Sequence, residues 1–134
     1  MSQQIQSIAR HRLDAQFASD EARKSNLLLE ARLMAAQGQD AAEKFAQAAQ
    51  IEEDLARRCA TLNLMEKSFV HQFSAASCWA QAGDFYHAIL LCDDLLAHAN
   101  LPERLRQRLQ DYSGTLRLRR HQWYAGVAEM AETV

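Results

Sequence analysis

Apolar residues along the chain recur at spacings of three and four, and runs that alternate with period two are lacking, so every segment predicts helix rather than strand. The first stretch, about Ser2 to Phe17, places Ile5, Ile8, Leu13 and Phe17 on one side. The stripe lapses across SDEARKSN, residues 19–26, where Ser19 is able to cap a helix and two acids follow in its first turn. Either a second helix starts there or one bent helix runs through. Gly38 and Asp40 mark the next turn, after which Ala41, Phe45, Ala48, Ile51 or Glu52, Leu55, Cys59 and Leu62 form a stripe on a long helix.

Asn63 offers a break, and a helix over about 64–82 carries Phe69, Phe73, Ala76 and Trp79 before Gly83 and Asp84. The helix over 85–98 is expected to bury Phe85, Ala88, Ile89, Cys92, Leu96 and Ala99. Asn100 and Pro102 end that segment, and proline suits the first turn of the helix that follows. Leu105, Leu109, Tyr112, Leu116, Trp123, Val127 and Met130 then keep nearly one phase across Gly114. The last segment is one helix or a pair kinked at that glycine.

Composition agrees with this pattern. The 134 residues are 49% hydrophobic and 24% charged, with only four glycines and one proline, which predicts one all-α domain with an ordinary core. Cys59, Cys78 and Cys92 are odd in number and form no CxxC pair, which fits a reducing compartment and argues against a disulfide framework. No apolar leader opens the chain, and the longest purely apolar run, Ala88 to Cys92, is far too short for a membrane span. A cytoplasmic protein without membrane contact is therefore expected.

An internal offset aligns Ala31 with Ala76, Met34 with Trp79, Ala35 with Ala80 and Gly38 with Gly83. Self-similarity of this kind points to stacked hairpins. The second copy, FSAASCWAQAGDFYHAILLCDDLL, has Ala76 in a small-residue slot, Trp79 in an aromatic slot, Gly83-Asp84-Phe85 at the turn and Ala88 in the small slot of the second helix. In these features it resembles the tetratricopeptide-repeat (TPR) family over residues 26–100. The repeat period exceeds the family's, and the proline expected after the second helix is replaced by Asn100 with Pro102 beyond. The resemblance implies antiparallel helical hairpins in a right-handed stack of about five to seven helices. The domain then divides into an N-terminal helix (1–25), a first hairpin (26–62), a second hairpin (64–100) and one or more C-terminal capping helices (101–134).

The resemblance also implies a function. In TPR proteins the first helix of each hairpin lines a concave groove, and the matching slots here are Leu28, Arg32, Phe73, Ser77 and Gln81. Phe73 and Ser77 stand where a carboxylate clamp would need Lys or Asn, so an apolar or mixed contact with another protein or peptide segment is expected, with Phe73 as anchor or as a plain core residue. The expectation is a protein-interaction module, adaptor or chaperone-like, that is not an enzyme and needs no cofactor. A self-assembling helical structural protein, with a homodimer as its simplest form, is the alternative.

Other chemistries find less support in the residues. Asp84, His87, Asp94 and His98 share one side of a helix, yet His87 and Asp94 are two turns apart and no ExxH motif occurs. A hydrated polar face accounts for them. No GxGxxG or P-loop glycine pattern, helix-start cysteine or Ser-His-Asp arrangement appears, and the cysteines read as buried inert thiols. Charge is uneven: residues 101–124 hold six Arg and two acids, a local +4, leaving −6 elsewhere because the whole chain carries −2. Arg117, Arg119, Arg120 and His121 beside Trp123 and Tyr124 would suit phosphate and base stacking, but helical spacing scatters the 104–121 arginines around the axis. A solvated face, or contact with an acidic partner such as the run Glu52-Glu53-Asp54 of a second copy, fits that segment better than nucleic acid.

Overall fold

The computed structural model describes the backbone of residues 2–132 and the side chains of residues 14–132. The chain is all-α. Five helices occur among the described residues, with no strand: α1 (Ser2–Ala36), α2 (Ala42–Thr61), α3 (Met65–Gln81), α4 (Phe85–Leu96) and α5 (Glu103–Glu132). Each packs on its successor, and α2 with α3 makes the most extensive contact.

Three of the four connections stop the preceding helix in one way. Gly38, Asn63 and Gly83 take positive φ (74°, 60° and 87°). Each donates its N–H to the carbonyl three residues back, and the next residue donates to the carbonyl five back: Gln39 to Met34, Leu64 to Cys59, Asp84 to Trp79. This left-handed stop satisfies helix-end carbonyls that would otherwise lack partners. Asp84 then caps α4 by accepting from the His87 N–H at 3.0 Å. At the remaining connection Arg106 does comparable work, donating to the carbonyls of Leu96 and His98 at 2.8 and 2.7 Å and pinning the start of α5 to the end of α4.

Small residues explain the close α2–α3 approach. Ala48, Ala49, Ala56, Ala75 and Ala76 are all buried, and Ser68, fully buried, donates its hydroxyl to the Ala56 carbonyl at 2.8 Å. The main core then runs from Ala48 and Ala49 through Phe69, Trp79, Ala88, Ile89, Cys92, Leu95, Leu101, Leu109 and Leu116, so it spans α2 to α5. A smaller cluster of Ala31, Ala41 and Phe45 closes the other end, with Leu28 packed against both.

Several expectations change. One continuous α1 replaces the pair of helices weighed around Ser19, because Asp20, Glu21 and Lys24 in the polar stretch face α2 and α3 rather than a turn. Ile5, Ile8 and Leu13 lie outside the described side chains. Helix α5 is likewise continuous through Gly114, held on both sides by the buried Leu109 and Leu116. Leu62 and Ala99 were expected in the core but lie beyond the ends of α2 and α4 and are exposed. Leu95, unremarked in the pattern, is fully buried instead. The apolar phase of α5 continues to Trp123, Val127 and Met130, yet these are exposed because α4 is only 12 residues long and α5 is 30.

This packing separates three substitutions on one helix. Leu109→Ala is expected to destabilise the fold by about 3 kcal/mol through the cavity it leaves, whereas Leu118→Ala, at an exposed site, stays within about 0.5 kcal/mol of wild type. Gly114→Ala, with nothing within 4 Å of the added methyl, should stabilise by about 0.5–1 kcal/mol. Urea unfolding curves followed by circular dichroism check all three.

Candidate functional site

Three consecutive acids of α2 face three directions, and together they organise the polar interior. Glu52 is 1% exposed and accepts from Lys24 of α1 at 3.0 Å and from the Nδ1–H of His71 of α3 at 3.4 Å. Glu53 accepts from the Trp79 indole at 3.1 Å and from His87 at 3.4 Å, so it joins α3 to α4, and the His87 ring stacks on Trp79 with centroids 4.2 Å apart. Asp54 pairs with Arg58, which also holds Asp20 of α1. The acidic run is thus engaged within the chain.

Burial opposes ionisation of Glu52, but the hydrogen bonds from His71 and Lys24, with their charges, outweigh it and hold the carboxyl below its ordinary 4.5. Asp54 is lowered chiefly by its hydrogen bond to Arg58. The thiols move the other way: burial pushes Cys78 and Cys92 up to about 11 and raises Cys59 as well, which leaves them poor nucleophiles.

Next to this polar layer, and sharing His71 and Arg58 with it, α1, the end of α2 and the start of α3 form a cleft of about 610 Å³. The buried Cys59 forms part of its lining, Phe17 packs edge-on against His71 at 5.7 Å, and Leu62, Leu64 and Val70 line it while 48%, 41% and 54% exposed. Asp14, Glu21 and Glu66 stand around it against Lys67, since the Arg58 guanidinium is already bound by two carboxylates. The cleft is therefore apolar within and acidic at its edge. A second cleft of about 580 Å³ lies where the α3–α4 turn meets α5, lined by Phe85, Tyr86, Arg120, Trp123 and Tyr124. A third, of about 540 Å³ between α1 and α2, is lined mostly by polar side chains such as Gln16, Arg23, Gln47 and Gln50.

The residues expected to line a groove are placed as follows. Phe73 is half-buried, with the Tyr112 ring 5.3 Å from it and the Arg108 guanidinium 5.8 Å above it. Ser77 lies beside the Tyr112 phenol and accepts from Gln81, which is exposed. Leu28 is half-buried between the two core clusters, and Arg32 is exposed. Phe73 and Ser77 are thus brought together under α5, and none of the five lines the three clefts just described.

Among the arginines of 104–121, Arg106 is bound to carbonyls, Arg108 covers Phe73 and Arg117 donates from one guanidinium nitrogen to both carboxylate oxygens of Asp93 at 2.9 Å. Half of the basic segment is committed to holding α5 in place. Among the described residues no three His, Cys, Asp or Glu side chains are arranged to hold a metal ion, and no helix is long and apolar enough to cross a membrane. No protein-family model, curated protein or solved structure matches the chain.

The cleft and the polar layer beside it escaped the sequence pattern, although one signal was present. Glu52 falls in the phase of an apolar stripe, where an acid must find partners or stay out of the core.

A lowered carboxyl fixes the sign of a pH effect. Glu52 contributes stability that is fully present above 4.5 and is lost as pH falls through its lower folded value. Glu52→Gln is expected to cost about 2 kcal/mol at pH 7. Urea midpoints measured between pH 7 and pH 3 should show the gap between wild type and variant closing on the acid side.

Proposed function

We propose that this chain is a protein-interaction module, adaptor or chaperone-like, whose TPR-like hairpins hold a segment of another protein. The observation that carries this reading is the cleft of about 610 Å³ in which Leu62, Leu64 and Val70 stay exposed beside His71, a lining side chain that is itself held by the buried Glu52. Apolar side chains left in a concave, pre-organised site favour occupancy by apolar groups of a partner. The acids at its edge select the flanks. The segment it fits is an amphipathic helix with apolar side chains bracketed by Lys or Arg.

The face first expected to bind, Leu28, Arg32, Phe73, Ser77 and Gln81, is the weaker candidate, because Tyr112 and Arg108 already lie on Phe73. Catalysis is not part of the proposal: the thiols are buried with raised pKa values, and the buried carboxylate is held ionised by two partners. A reducing, cytoplasmic setting fits three free cysteines.

A displayed peptide library panned on the full chain tests the proposal. Enriched peptides should combine apolar residues at helical spacing with flanking Lys or Arg, and should lose at least about tenfold in affinity to Val70→Glu or Leu64→Glu, a change of 1.4 kcal/mol or more. Trp123→Glu should bind them as wild type does. No enrichment, or peptides indifferent to both cleft substitutions, would overturn it.

A further inference from the structure

His71 stands between two carboxylates in the lining of the α1–α2–α3 cleft. Its Nδ1 is 3.4 Å from the buried Glu52 of α2, and its Nε2 is 3.9 Å from Glu21 of α1, which lines the same cleft and is 45% exposed. The His71 side chain is only 13% exposed, and Phe17 packs edge-on against it, so the ring is held with one nitrogen toward each acid. Among the described residues the other charged groups of these helices near the ring are paired or stand at the edge of the cleft. Lys24 of α1 is bound to Glu52, and Arg58 of α2 is bound to Asp20 and Asp54. Asp14, and Glu66 with Lys67 on the same helix as His71, complete the charged part of the lining.

A neutral imidazole carries one N–H and one lone pair. With the N–H given to Glu52, Nε2 meets Glu21 as acceptor against acceptor, and the 3.9 Å between them is too long for a hydrogen bond. Protonation turns Nε2 into a donor. Glu21 then has a cationic partner on α3, and its carboxylate is withdrawn from the acidic edge of the cleft. We propose that His71 is a proton-operated switch for this cleft: neutral, it leaves Glu21 to a Lys or Arg of the bound segment, and protonated, it takes Glu21 for itself. The inference rests on the reading of the cleft as a site for an amphipathic helix with basic flanks. Its direction follows from charge. Protonation adds a positive charge to lining that a basic segment must approach, and engages one of the three acids, Asp14, Glu21 and Glu66, that would receive it. Carboxylates and amines keep their charge near neutral pH, whereas an imidazole changes its own there. Binding of a basic segment therefore expels the proton to solvent, and acidification releases the segment. The two effects are one coupling seen from either side.

Fluorescence anisotropy with a histidine-free peptide panned on the full chain at pH 7.5 tests the proposal, the affinity being measured from pH 7.5 to pH 5.5 at constant ionic strength. The dissociation constant is expected to rise about fivefold or more across that range. His71→Gln keeps an amide N–H for Glu52, and Glu21→Gln changes an exposed position, so both variants should fold. In each the rise should shrink to under about twofold. His121→Gln, exposed on α5 and outside the cleft lining, should keep the full rise. Calorimetry at pH 6.5 in buffers of different ionisation enthalpy gives a second readout: wild type should release protons on binding the peptide, and His71→Gln should not. An affinity indifferent to pH, or a rise undiminished in both His71→Gln and Glu21→Gln, would overturn the switch and leave the cleft as the binding site. No enriched peptide, or peptides indifferent to Val70→Glu and Leu64→Glu, would overturn the reading of the cleft and the switch with it.

Discussion

The carboxylate of Glu52 is the constraint on which the rest of the structure turns. An acid buried to 1% must be compensated from elsewhere in the chain, and its two partners come from the helix before and the helix after: Lys24 and His71. Meeting that requirement sets the position of α1 relative to α3 across α2. It explains why the polar stretch 19–26 remains helical, since a turn there would carry Lys24 and Asp20 away from Glu52 and Arg58. It also places Phe17 on His71, and so defines one wall of the cleft. Glu53 extends the same logic to α4 through Trp79 and His87, and Arg117 with Asp93 ties α4 to α5. Charge thus sets the register of a stack whose cohesion is apolar.

Much of the fold was legible in the sequence because helix stops are local. Gly38, Asn63 and Gly83 were each readable as breaks, and all three adopt the left-handed conformation that ends a helix. The stripes through Phe45, Leu55, Cys59, Phe69, Ala76, Ala88 and Cys92 marked buried positions for the same reason, since a phase along one helix is visible in one segment. What stayed hidden depends on length and partnership between segments. The phase of Trp123, Val127 and Met130 is that of a core, and only the shortness of α4 leaves them exposed. SDEARKSN reads as a helix start or a bend when taken alone, and as a helix face turned toward α2 and α3 once Glu52 and Arg58 are known to lie opposite.

The candidate site was less legible than the fold. The groove slots chosen by resemblance lie on α1 and α3, but Tyr112 reaches back from α5 to cover Phe73, a contact between residues far apart in sequence. The cleft that remains open gathers Phe17, Leu62, Leu64 and Val70 from three helices around the turn at Asn63. Leu62 and Leu64 flank that turn and stay 48% and 41% exposed. The two open apolar regions thus have different origins. One is a pocket beside a histidine that a buried carboxylate holds, and the other is a helix that outruns its neighbour.

Hydrogen–deuterium exchange of the full chain, with and without a saturating library-selected peptide, tests the central claim most directly. The account predicts new protection confined to residues 14–21 and 59–71, the walls of the cleft built on Glu52. Protection appearing instead along residues 28–32 and 73–81, with the cleft unchanged, would contradict it.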